Sequence, residues 1–219
     1  MLDFIRHHWY DLGVIPFFLS LQYARVNWSK MSTAQKYHLA SFMTVLVHQF
    51  EEYRFPGGLP AAMNMGVHSS ARPDRFPLSS QSSTLTNVLA TYGFYLAPVF
   101  FPEHIWAGLA PMLLGFGQFF IHGINMNKAL GSFYNPGLAS VIFMHIPLGY
   151  YYIRAMTQSG QLTGRQWALG VAYGAAFLYL VLIKSTFGWL VDYDSPYPFY
   201  PAEMERGGMA AWIRSVRDL

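Results

Sequence analysis

The sequence contains no cysteine and very little charge. Without a thiol, disulfides, thiolate metal sites and cysteine nucleophiles are all excluded. Asp, Glu, Lys and Arg make up 11% of the 219 residues, where a soluble globular domain carries roughly 25%. Alternating strand patterns of the kind that build an outer-membrane barrel are also missing. The net charge of +3 is not gathered into a basic, aromatic-interleaved polar segment, so nucleic acid is not an expected partner.

Apolar residues fill the chain instead, with 53% hydrophobic and 18% aromatic side chains. Runs close to the roughly 17–25 residues needed to cross a bilayer recur at 9–26, 36–53, 85–101, 105–125, 136–156 and 165–191. In hydrocarbon the backbone must pair with itself, so these runs predict helices. The expected fold is a single all-α domain over residues 1–219, a polytopic transmembrane bundle of about six spans. Five spans are the fallback, because Pro16 interrupts the first run. The expected location is a membrane, either a bacterial inner membrane or a eukaryotic endomembrane, with the lipid bilayer as first partner.

Punctuation supports these divisions. "RFPGGLP" (54–60) stops the second run, and "ARPDRFPLSSQSS" (71–83) continues a connection far longer than the others. Met209, Trp212, Ile213, Val216 and Leu219 recur at helical spacing opposite Arg214, Arg217 and Asp218. That pattern predicts an interfacial amphipathic helix at 207–219. Gly170 and Gly174 form a small-xxx-small pair that admits a close helix neighbour, and offers a route to a homo-oligomer.

Polar groups interrupt the apolar pattern at "VLVHQFEEYRF" (45–55). Glu51 and Glu52 follow His48 by three and four residues, so all three project from one side of a helix. Gln118, His122 and Asn125 occupy i, i+4 and i+7 of the fourth run. Consecutive spans alternate direction, so both stripes share a leaflet with Asn87 and with "YNPG" (134–137). Ionisable groups in membrane helices are costly and mark functional sites by default. His145 lies deeper, beside Pro147, as a donor to a freed carbonyl or as a ligand. Lys184 is expected to snorkel or to pair with a glutamate. His7, His8, His38, His68 and His104 read as interfacial.

Two chemistries fit. His48, Glu52 and His122 form an N/O donor set for a single zinc or iron ion, leaving Glu51 as a general base. The HxxxH and HxxHH clusters of a di-iron desaturase are absent. Without a metal, Glu51 and Glu52 cannot both ionise easily in low dielectric, and one of them beside His48 makes an acid–base pair. In either case Tyr134 is placed to donate to an oxyanion, while Asn87, Gln118, Asn125 and Asn135 orient substrate. The expected function is an enzyme that hydrolyses, isomerises or cyclises a small lipophilic molecule. The alternative is a proton- or cation-coupled transporter.

"HQFEE" (48–52) resembles the motif that names the HXXEE-domain membrane proteins. "QFFIH" (118–122) and "YNPG" (134–137) resemble that family's NXXXH and YXPG motifs, in the same order, over residues 36–155. Gln118 departs from the pattern by standing where the family has asparagine. The resemblance implies an integral membrane enzyme with its site at these residues, and leaves the reaction unnamed.

Overall fold

Capping residues and breakers set where each helix begins and ends. The computed structural model describes residues 1–217, and among these every regular element is helical. In order they are α1 (Leu2–Leu12), α2 (Val14–Asn27), α3 (Thr33–Tyr53), α4 (59–67), α5 (80–100), α6 (Ile105–Leu130), α7 (138–158), α8 (Gly164–Trp189), α9 (Pro201–Met204) and α10 (Met209–Arg217). Ser32 caps α3 by accepting from the Gln35 N–H at 3.1 Å. Ser79 and Ser82 form a reciprocal capping box at the start of α5. Gly57, Gly58 and Gly131 adopt positive φ just beyond α3 and α6, where a side chain would be strained.

The all-α expectation holds, and five predicted runs match α3, α5, α6, α7 and α8 to within a few residues. The first run is instead two helices, α1 and α2, that meet at Gly13. Pro16 falls in the first turn of α2, where its missing N–H does no harm. Two helices, Ile105–Leu130 and Gly164–Trp189, are each 26 residues and apolar enough to cross a bilayer. The long connection contains α4, followed by turns and bends up to Ser79.

Many helices switch to wider i→i+5 winding partway along. These stretches are Ala62–Val67 in α4, Leu89–Tyr95 in α5, Phe119–Met126 in α6, Val141–His145 in α7 and Leu178–Trp189 in α8. Such winding re-aims side chains relative to an ideal helix and often accompanies functional sites.

Three apolar clusters hold the bundle. One gathers Trp9, Tyr10, Tyr53, Leu59, Met126, Leu130 and Ile213 beneath α4 and α10. A second joins Phe42, Val45, Ala90, Phe94, Leu114 and Phe177 across α3, α5, α6 and α8. A third packs Ile105, Leu109, Met112, Tyr152 and Met156 at the far end. Gly170 meets Leu109 and Gly174 meets Ala110, so this small-residue face is taken up within the chain.

The predicted C-terminal helix is present as Met209–Arg217, while Asp218 and Leu219 lie outside the described residues. Met209, Ala210 and Ile213 are buried against the protein, and Trp212 and Val216 remain exposed. Arg217 ties this helix down by donating to the Met65 carbonyl (2.7 Å), the Ala129 carbonyl (3.0 Å) and the Gly66 carbonyl. Two histidines expected at an interface are buried instead. His7 pairs with Glu203 at 2.7 Å, and His38 bonds the Pro98 carbonyl at 2.8 Å. Gly108 makes the second possible, because a Cβ there would collide with the His38 ring.

Candidate metal centre

His48 and Glu52 sit one turn apart near the end of α3, and His122 sits in the wide-wound part of α6. All three are buried, and one donor atom from each lies within 4.8 Å of the other two. Glu52 Oε1 is 3.3 Å from His48 Nε2 and 3.4 Å from His122 Nε2. The neighbouring hydrogen bonds decide which nitrogens carry protons. Ser140 Oγ donates its one proton to the Gly137 carbonyl at 2.9 Å, so it must accept from His48 Nδ1, also at 2.9 Å. Asn135 Nδ2 donates to the His122 carbonyl and to Asn127 Oδ1, each at 2.7 Å. Its Oδ1 therefore accepts from His122 Nδ1 at 2.7 Å.

In their neutral form both imidazoles are thus held with the proton on Nδ1 and a lone pair on Nε2. Two lone pairs and a carboxylate oxygen then face one another without a hydrogen among them. His48 Nε2 is buried and makes no hydrogen bond to a described residue, despite its closeness to Glu52. Three buried acceptors that meet in this way can be bridged by a cation or by a shared proton. Ligands about 2.0–2.1 Å from a tetrahedral ion stand about 3.3–3.4 Å from each other, which matches both His–Glu separations. This group can hold a metal ion.

Glu51 faces elsewhere. Its Oε1 accepts from the Tyr134 hydroxyl at 2.9 Å and the Ala139 N–H at 3.0 Å, and its Oε2 accepts from the Ser140 N–H at 2.8 Å. A carboxylate at the start of α7 satisfies backbone N–H groups that have no helical partner and complements the helix dipole. Glu51 and Tyr134 therefore fix the 134–137 turn against α3. Gly137 in that turn has φ +102°, and a Cβ on it would stand 2.6 Å from His122 Cε1 and 2.9 Å from His48 Cε1. The turn's glycine is the wedge that lets backbone pass between the two rings. Asn135, two residues earlier, is wholly buried and orients His122.

Beside the donors lies a cavity of about 100 Å³, lined by His48, Glu52, Gln49, Asn87 and Gln118 on its polar side. Val45, Leu59, Ala90, Leu114 and Leu182 line the rest, with Tyr53 and Tyr95. Gln49 holds this wall together, donating to Asn87 Oδ1 at 3.1 Å and accepting from the Thr91 hydroxyl at 2.9 Å.

The structure brings His48, Glu52 and His122 together, with Gln118 and Asn87 on the adjoining cavity. Asn125 is exposed, because the wide winding of Phe119–Met126 rotates it off the face that Gln118 and His122 share. Lys184 is exposed and makes no ion pair among the described residues. Ser140 and Asn127 are contributors that the sequence alone does not single out, since a serine and an asparagine carry no spacing signal.

The chain has no match among curated proteins or among solved structures. A family model does match, over residues 39–152, more than half of the chain, and its span takes in "HQFEE", the His122 segment and the 134–137 turn that form this centre. The chain belongs to the family described as proteins of unknown function with an HXXEE motif.

Proposed function

We propose that this protein is a membrane-embedded enzyme in which His48, Glu52 and His122 hold one divalent transition-metal ion next to a small, half-apolar substrate cavity. The observation that carries the proposal is the meeting of two Nε2 lone pairs and one carboxylate oxygen at 3.3 and 3.4 Å, with both tautomers fixed from behind. Nitrogen and oxygen donors of this kind suit zinc or iron. A bound ion would supply Lewis acidity towards an oxygen of the substrate or of water.

The chain's own residues divide the remaining work. Gln118 and Asn87 present side-chain amides to the polar wall and orient the head of the substrate. Val45, Ala90, Leu114 and Leu182 take its apolar part and exclude water. Glu51 and Tyr134 are positioning residues, because their oxygens are committed to the turn that carries Asn135 and Gly137. A cavity of this size, with one polar wall and one wall of apolar side chains, suits a small lipophilic molecule with one polar group.

The six-span reading belongs to the same proposal. Large apolar side chains face outward on α2 (Ile15, Phe18, Leu19), α5 (Leu89, Phe100), α7 (Phe143, Tyr150) and α8 (Val171, Leu180, Ile183), while the ionisable cluster is inside. That inverted distribution supports a bundle solvated by lipid, beyond the two helices that pass on length and hydropathy alone. A carrier would need carboxylates relayed through the membrane, whereas the buried carboxylates of α3, Glu51 and Glu52, lie together at one end of it.

The test is substrate discovery. Protein in lipid nanodiscs, incubated with a fractionated lipid extract, should consume a small apolar component seen by mass spectrometry, in a chelator-sensitive manner. Ala90→Leu, which pushes an isobutyl group into the cavity, should lower that consumption by about 10-fold or more while metal content stays unchanged, since overfilling a packed site displaces its occupant. Gradient-driven accumulation of an unaltered solute in proteoliposomes would instead identify a carrier.

A further inference from the structure

We infer that His145 is a third imidazole of the centre and joins His48, Glu52 and His122 in binding a divalent transition-metal ion. This rests on the metal reading above and extends it. Glu51, expected as the general base, does not supply a fourth ligand, because its oxygens are taken by Tyr134, Ala139 and Ser140. His145 is a further buried group beside His48 with an unpartnered ring nitrogen.

Four observations support it. His145 Nε2 is buried and makes no hydrogen bond to any described residue, the same condition as His48 Nε2, whose neighbour is Glu52. Buried polar atoms are nearly always paired, so a second unpartnered imidazole nitrogen on a ring next to His48 points to a common ligand. The ring of His145 lies 5.2 Å from that of His48 and nearly perpendicular to it, while the His122 ring lies 5.1 Å away in a similar attitude. His48 is therefore flanked by two comparable imidazoles, one from α6 and one from α7.

The packing also makes room for this ring. Gly115 of α6 faces it, and a Cβ there would stand 3.0 Å from His145 Nδ1 and 3.1 Å from its Cβ. The wide-wound stretch Val141–His145 ends on His145 itself, as such stretches do where a side chain is re-aimed towards a site. A set of three imidazoles and one carboxylate favours zinc, iron or cobalt over magnesium or calcium, which prefer oxygen ligands. His145 lies outside the set of donors that stand within 4.8 Å of one another, so its ring must move inward to join them. Its loss should weaken binding, not abolish it.

The experiment is X-ray absorption on zinc-loaded, detergent-purified full-length protein, paired with competitive zinc titration. Wild type should show three imidazoles around zinc. His145→Phe, which keeps a ring between α6 and α7, and His145→Gln should each show two, with affinity lower by about 10- to 100-fold. Two imidazoles in the wild type, with unchanged affinity in His145→Phe, would overturn this inference and leave the three-donor centre standing. Wild type that takes up no zinc would overturn both. The wild-type spectrum decides the imidazole count even where a variant fails to fold.

Discussion

Gly137→Ala is expected to lower zinc affinity by about 100-fold, equivalent to about 2.7 kcal/mol, while the protein still inserts and folds. The added methyl would stand 2.6 Å from His122 Cε1 and 2.9 Å from His48 Cε1, inside any tolerable carbon–carbon contact. Both rings must move apart, and each movement also breaks the Ser140 or Asn135 hydrogen bond that fixes its tautomer. Backbone strain at φ +102° adds to this, by roughly 1–2 kcal/mol. Gly131→Ala separates the two effects. Gly131 also has positive φ, at +60°, yet a Cβ there meets nothing within 4 Å. It should carry the strain in a thermal melt and leave zinc titration unchanged. Equal zinc affinity in wild type and Gly137→Ala would remove the wedge role assigned to this glycine.

The two glutamates of the motif should respond in opposite ways to neutralisation. Glu51→Gln replaces a carboxylate that receives three donors with an amide that must point its NH₂ at one of them. Losing charged hydrogen bonds in a buried setting and stranding a backbone N–H should destabilise the fold by about 3 kcal/mol or more. The detergent-solubilised protein should melt well below wild type with or without zinc. Glu52→Gln should do the reverse. Its Oε1 faces two lone pairs, and an amide can donate to one of them, so the metal-free protein should melt no lower than wild type. The added stability that zinc gives wild type, a consequence of binding only to the folded state, should vanish in this variant. Thermal unfolding of both variants with and without zinc reads all four values. Matching behaviour of the two would contradict the division between an anchoring Glu51 and a ligating Glu52.

This division shows what a sequence can and cannot carry. Helical periodicity puts His48, Glu51 and Glu52 on one side of α3, and span alternation brings His122 to the same end of the bundle, as the structure has it. Periodicity cannot say that Glu51 turns towards the start of α7, because that depends on where three donors arrive from 83 to 89 residues away. The expected Gln118–His122–Asn125 stripe fails at its last member for a local reason. It assumes ideal helix spacing, and Phe119–Met126 winds more widely. Ser140 and Asn127 were invisible because their importance lies in the one proton or one oxygen each supplies to a network. His7 and His38 were placed at an interface by position along the chain, and Glu203 and the close pass of α6 at Gly108 bury them. The three short motifs are legible individually, and the way their side chains meet needs coordinates.

The central claim is that His48, Glu52 and His122 bind a metal, and elemental analysis tests it most directly. Full-length protein purified in detergent without chelator should contain zinc or iron at near-stoichiometric level. His48→Ala and His122→Ala, prepared in parallel and still folded by circular dichroism, should contain none. Metal-free wild type that also fails to take up added zinc or iron would contradict the claim. The three facing acceptors would then share a proton, and acid–base chemistry by His48 and Glu52 would take the metal's place.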